Sequence, residues 1–237
     1  RDTKFLGLSF PTIAGFEKNG AVIHYRPTAD SSAMIAGDSL FLLDSGGQYA
    51  DGTTDVTRTL LVGSPHPEHI LRFTQVLKGH IALASVRFPV GTAGGQLDAL
   101  ARVTLWNDGV DYDHGTGHGV GAFLNVHEGP QRISKGSMGP SLRAGMVVSN
   151  EPGYYKSGEF GIRIENLLAV VPASKNGEKS KFLEFETLTL APLERRLIDR
   201  DLLTNTEKVW LDCYHQRVYN SMSSELDSET LSWLKSA

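Results

Sequence analysis

Apolar residues change their period along the chain, and each change predicts a different element. After Pro67, Ile70, Phe73, Leu77, Ile81 and Ala84 recur at three and four residues, the stripe of an amphipathic helix. A second helix is predicted over 96–107, stopped by Gly109. Near the end, Thr204 and Glu207 have the spacing of a capping box, and Val209, Leu211, Tyr214, Val218 and Met222 mark one buried helix side. Shorter periods lie upstream. Residues 14–26 read as two strands around Asn19-Gly20, a pair that supplies the positive φ of a tight turn, so His24 is expected on a strand beside Val22. Residues 39–44 and 53–63, rich in Leu, Val and Thr, read as a second hairpin, while 114–121 and 145–171 read as loop and strand. Hairpins, then helices, then more strands argue for α+β rather than a parallel βαβ sheet.

Composition narrows the class. With 237 residues, 40% hydrophobic and 21% charged, the chain is of ordinary globular type. At this length folding buries roughly 70 to 75% of the unfolded surface, so no staple is required. Cys213 is the sole cysteine, which points to a reducing, cytoplasmic compartment and, on its helix, to buried packing. A net charge of −4 without a Lys/Arg run argues against nucleic acid or a membrane surface as partner, and no segment has the length of a membrane span. The chain opens on Arg1 without a signal-peptide pattern, and is expected to be a fragment of a longer protein.

Asp44 and Asp55 are eleven apart across the second predicted hairpin, which without a bulge makes them direct cross-strand partners. Facing like charges are destabilising unless a cation lies between them, or unless a bulge turns one to solvent. Glu151 and Glu165 form a similar pair, fourteen apart with Gly158 at the midpoint of a predicted hairpin. Arg163 shares the face of Glu165 and is expected to orient it, the alternative being an exposed ion pair. His114 and His118 stand four apart, but the glycines at 115, 117, 119 and 121 argue against a helix. In extended backbone the two share a face, with the glycines letting a metal site approach the main chain; His127 follows. Asp44, Asp55, His118, Glu151 and Glu165 would give four carboxylates and one imidazole, balanced by two divalent cations. That donor set suits Mn²⁺ or Co²⁺, with Zn²⁺ also possible, and two such ions are an apparatus for metal-assisted hydrolysis.

The stretch from Asp44 to Thr59 (DSGGQYADGTTDVTRT), then HGTGHGVG, SNEPGYY and GIRIEN resemble the catalytic domain of the aminopeptidase P (Xaa-Pro aminopeptidase) branch of the M24 metallopeptidases. The resemblance runs from about Phe5 to the C-terminus. It implies the pita-bread fold, a pseudo-twofold α+β catalytic domain over residues 1–237 with a helical extension from about 204. It also implies removal of an N-terminal residue that precedes proline. By motif position Asp44 would bind one metal, Asp55 and Glu165 both, and His118 and Glu151 the second, with Glu151 the proton acceptor. His24, His114 and His127 match additional histidines associated with substrate binding and proton shuttling. The branch usually carries N-terminal domains that contribute to substrate access and to a homodimer, and these are expected to lie outside this sequence.

Within the same fold a prolidase restricted to dipeptides is the nearest rival, and a methionine aminopeptidase is further off. A metal-free pita-bread module that binds proteins is a rival of another class; such modules lose the ligands. Gly37-Asp38-Ser39-Leu40 spells a serine-hydrolase string and Gly117, Gly119 and Ala122 a dinucleotide fingerprint, each without its context. His127-Glu128 does not begin HExxH, because Gln131 occupies the last position.

Overall fold

Leu40 and Leu42 bury one face of a strand whose next inward position is Asp44, so the alternation that builds the core also delivers a carboxylate to its edge. The computed structural model describes residues 4–136, 138–173 and 181–236. It begins with β1 (Phe5–Leu8) and β2 (Ile13–Phe16), followed by a 3-10 turn over Glu17–Ala21. β3 (Ser39–Ser45), β4 (Gly47–Tyr49), β5 (Gly52–Thr53) and β6 (Val56–Val62) come next. β2, β3 and β6 make one antiparallel sheet in that order, and β1, β4 and β5 another.

The predicted helices form. α1 (Pro67–Ser85) starts where His66 Nδ1 accepts from the Glu68 amide and Pro67 supplies a preset φ. After β7 (Phe88–Pro89), α2 (Asp98–Trp106) packs on α1 so tightly that a Cβ at Gly79 would lie 2.1 Å from Ala101 O. β8 (Gly117–His118) and β9 (Arg132–Ile133) pair as a short ribbon. β10 (Val147–Asn150), β11 (Gly153–Lys156), β12 (Phe160–Arg163), β13 (Asn166–Pro172) and β14 (Phe182–Thr187) complete the strands among the described residues. β10, β13, β14 and β7 form an antiparallel sheet, with Val148, Leu168 and Val170 packed on Leu83 and Ala101 of the helices.

α3 (Asn205–Met222) carries the expected Thr204–Glu207 capping box. Leu211, Tyr214 and Val218 enter the same core as Phe73, Leu77, Ile162 and Ile164, and so does Leu234 of α4 (Ser228–Ser236). Two expectations fail on α3. Val209 is 62% exposed and Cys213 is exposed, because each lies two residues, about 200° of helix rotation, from Leu211. Asn19-Gly20 does not turn a hairpin either. Asn19 Nδ2 donates to Tyr25 Oη and Ser31 O, and Gly20 lies against Gly161 of β12, where a Cβ on Gly161 would collide with the Gly20 carbonyl and one on Gly20 would be tight at 3.2 to 3.3 Å from backbone. The glycine serves close packing, so His24 sits in a turn and not on a strand.

Among the described residues no helix is long and apolar enough to cross a membrane.

Candidate metal centre

Two antiparallel ribbons bring four carboxylates together. In the β3–β6 ribbon Asp44 lies opposite Thr57, and Asp55 precedes Thr57 by two residues. The expected direct Asp44–Asp55 pairing is therefore corrected to a diagonal one. β4 and β5 form a hairpin of their own within the connection, which shifts the register by two. The second ribbon runs from Val147↔Ala169 to Asn150↔Asn166 in β10–β13, and resumes from Gly153↔Arg163 to Lys156↔Phe160 in β11–β12. Register is kept across the gap, and Gly158 turns the end with φ +79°. Glu151 and Glu165 occupy facing positions in that gap. Their amides leave the ribbon: Glu165 N–H donates to Thr57 O at 3.1 Å, and Glu151 N–H to Thr116 O at 2.8 Å. The break in one ribbon thus docks both the other ribbon and the glycine-rich segment.

That segment is held by a buried ion pair the sequence reading missed. Arg102 and Asp98, an i,i+4 pair on α2, approach to 2.6 Å with side chains 0% and 3% exposed. Arg102 also donates to Tyr112 O and His114 O, and Asp98 accepts from Thr116 Oγ1. A charged i,i+4 spacing with a Thr in HGTGHG was the available signal. Two of the glycines also serve packing: a Cβ at Gly117 would lie 2.0 Å from Ser149 O, and one at Gly119 2.0 Å from Glu128 O, so both admit neighbouring backbone, while Gly115 and Gly117 line the cavity. His118 is fixed by its amide, which donates to Ser149 Oγ, and by Nδ1 facing Gly119 O at 3.0 Å. Nε2 is left pointing at Asp55 Oδ2 and Glu151 Oε1, 3.4 Å from each.

All five candidate ligands line one cavity of about 530 Å³. Donor atoms of Asp55, His118 and Glu165 lie within 4.8 Å of one another. Burial raises the Glu165 carboxyl well above its ordinary range, and the charges of Asp55, Glu151 and Asp44 add to this. Burial also raises Glu151 to about 7 and raises Asp44 against the pull of Arg163. For His118 burial acts downward, but the hydrogen bond to Asp55 and the charge of Glu151 outweigh it and lift the imidazole to about 9. Asp44 Oδ1 is buried without a hydrogen-bond partner. Three carboxyls that resist ionisation, one of them with an orphaned oxygen, fit a cation the chain itself does not supply.

Arg163 lies 2% exposed beneath the cluster, and its contacts differ from expectation. It donates through Nη2 to Asp44 at 2.7 Å, through Nη1 to Tyr155 Oη at 2.8 Å, and through Nε to Thr57 Oγ1 at 3.1 Å. Thr57 in turn donates to Glu165, so Arg163 holds Asp44 directly and Glu165 through a hydroxyl. His24, His114 and His127 all line the cavity. His114 is held at both nitrogens, by Gly115 O and Tyr155 Oη at 2.8 Å each, and burial lowers it to about 4. The His127 ring centroid lies 4.1 Å from that of His118, and burial and the His118 charge lower its pKa.

Residues 1–172 match the model of metallopeptidase family M24, and residues 181–237 match that of the C-terminal region of the M24 peptidases. The chain belongs to metallopeptidase family M24. Among M24 relatives, a probable Xaa-Pro aminopeptidase P of Coprinopsis cinerea is 52% identical over 98% of this chain and 38% of its own length. Xaa-Pro aminopeptidase 1 of Dictyostelium discoideum is 46% identical over 99% of this chain and 38% of its length. The chain thus spans well under half the length of the curated relatives it matches. X-prolyl aminopeptidase of Caenorhabditis elegans, described as a cytosolic enzyme with a di-nuclear active site, superposes over 100% of this chain and 39% of its own at a TM-score of 0.94 and 44% identity. The M24 prolidase of Pyrococcus furiosus reaches a TM-score of 0.65 at 29% identity over 77% of this chain and 50% of its own. The α+β pita-bread fold expected from the resemblance is the fold of this chain.

Proposed function

We propose that this chain is the catalytic portion of a dinuclear metallo-aminopeptidase that hydrolyses the bond between an N-terminal residue and a following proline. One observation carries the reading: Asp55, His118 and Glu165 converge within 4.8 Å, beside Asp44 and Glu151, in a chain half identical to Xaa-Pro aminopeptidases. Those five residues would hold two divalent ions, of which Mn²⁺ suits the oxygen-rich donor set, with Co²⁺ or Zn²⁺ as alternatives. When bound, such a pair lowers the pKa of water and polarises the scissile carbonyl.

The chain's own groups do the rest. Arg163, with Thr57 as its relay, keeps the Asp44 and Glu165 carboxylates in place. Glu151 accepts a proton from the attacking water and passes it toward the proline nitrogen. His24 and His127 face the peptide across the cavity, and His114 fixes the Tyr155 hydroxyl that Arg163 also grips. The nematode relative's cytosolic description and the single, unbridged cysteine support a cytoplasmic protein. The family resemblance supports a homodimer for the full-length protein.

Metal-loaded protein is assayed with an Xaa-Pro-Pro tripeptide, an Xaa-Pro dipeptide and a Met-initiated peptide. Release of the first residue from the tripeptide supports the reading. Cleavage of the dipeptide alone makes the protein a prolidase, and cleavage of the Met peptide alone makes it a methionine aminopeptidase.

A further inference from the structure

The cavity carries the candidate metal ligands at its floor and two arginines at its rim. Besides the carboxylates, His118 and Arg163, its charged lining consists of Arg26 and Arg132, both exposed. Arg132 on β9 lies directly opposite His118 on β8, and opposed residues of an antiparallel pair project to the same side. The pairing that aims His118 at the metal cluster therefore sends the Arg132 side chain out on the cavity side. Arg26 is tethered by Nη1, which donates to Pro11 O at 2.8 Å, next to Phe10 and Ile13 of the same wall. Among the described residues neither guanidinium is paired with a carboxylate, whereas Arg72, Arg87, Arg102, Arg163, Arg196, Arg200 and Arg217 each have one.

We propose that Arg26 and Arg132 recognise a carboxylate on the substrate, downstream of the scissile bond, so that the protein favours short peptides with a free C-terminus or an acidic third residue. This rests on the aminopeptidase reading. An aminopeptidase holds the substrate's first residue and first peptide bond at the candidate metal cluster, so the chain beyond proline has to leave past the rim. An extended tripeptide spans about 10 Å, which keeps its terminal carboxylate close to the cavity. A carboxylate on that outgoing segment meets two guanidiniums with no acidic partner of their own among the described residues, and their charge steers the downstream end of the peptide toward them. An amidated or neutral tail forgoes this attraction.

The test compares Ala-Pro-Ala, Ala-Pro-Ala-amide and Ala-Pro-Glu-amide on the Mn²⁺-loaded protein and on its Arg26→Ala, Arg132→Ala and Arg132→Lys variants. KM for Ala-Pro-Ala is expected about fivefold below that of its amide, the scale of an exposed ion pair. Each Ala substitution narrows the gap, Arg132→Lys keeps most of it, and added salt shrinks it. A preference for Ala-Pro-Ala alone assigns recognition to the chain terminus, while recovery with Ala-Pro-Glu-amide extends it to a side chain; both support the proposal. Equal KM for all three peptides, or a preference that survives loss of both arginines, overturns it while leaving the aminopeptidase reading intact. Failure to cleave any of the three by protein that binds Mn²⁺ overturns both.

Discussion

Thr57 Oγ1 donates a 2.7 Å hydrogen bond to Glu165 Oε2 while accepting one of 3.1 Å from Arg163 Nε. One hydroxyl thereby ties a ligand candidate on one ribbon to a strand of the other, and passes the constraint of a buried guanidinium that never touches Glu165 itself. Thr57→Val keeps the shape and removes the relay. It is expected to weaken Mn²⁺ binding roughly tenfold or more, as loss of an outer-sphere partner does. Calorimetric titration beside the unchanged protein checks this, and equal affinities would mean that Glu165 is held by packing alone.

Gly117→Ala tests the packing of the glycine-rich segment. The new Cβ would stand 2.0 Å from Ser149 O, an atom of β10 that cannot rotate away. β8 has to shift, carrying His118 with it, at a cost of about 1 to 3 kcal/mol. Both a lower urea midpoint and weaker Mn²⁺ binding are expected. A variant as stable as the parent, with metal affinity intact, contradicts the assignment of this glycine to backbone contact.

Asp98→Ala leaves Arg102 buried with fewer partners. Asp111, 2.8 Å from Arg102 Nη1, still compensates part of the charge, so the cost is expected at about 1 to 3 kcal/mol, and the segment from Tyr112 to Thr116 that Arg102 and Asp98 hold is loosened. Urea unfolding of the metal-free protein reads the loss directly, and a change below about 1 kcal/mol would make the pair incidental.

Burial holds His80 neutral, lowering its pKa to about 3, with the nearby Arg58 charge acting in the same direction. The unfolded chain therefore binds more protons than the folded one between about pH 3 and 6.5, and stability contributed by the neutral ring is lost as pH falls through that window. One such group changes the slope by up to about 1.4 kcal/mol per pH unit. His80→Asn is expected to flatten the dependence of unfolding free energy on pH from 6.5 to 4.5. Comparing slopes rather than absolute stabilities separates this effect from any packing lost in the substitution, and parallel slopes would contradict it.

Much of this was legible where a single physical signal decides. The 3.6-residue stripe after Pro67, the Thr204–Glu207 capping box and the Gly158 midpoint each became the predicted element. Glu151 and Glu165 face one another because an even separation about a three-residue loop leaves little else. Errors arose where tertiary contact overrode a local rule. Asn19-Gly20 reads as a turn, but Gly161 needs the space beside Gly20. The Asp44–Asp55 pairing shifted because a small hairpin inside the connection takes residues that arithmetic assigned to a simple turn. Asp98, Arg102, Thr57 and Tyr155 went unnoticed since each matters through a partner distant in sequence or hidden in an ordinary helix face.

The central claim is that buried carboxylates and one imidazole form a dinuclear metal site. Calorimetric titration of chelator-stripped protein with Mn²⁺, repeated on Asp55→Ala, tests it without depending on turnover. The account predicts two ions per chain in the parent and loss of that stoichiometry in the variant. Absence of binding to the folded parent, or two ions still bound after Asp55 is removed, would contradict it.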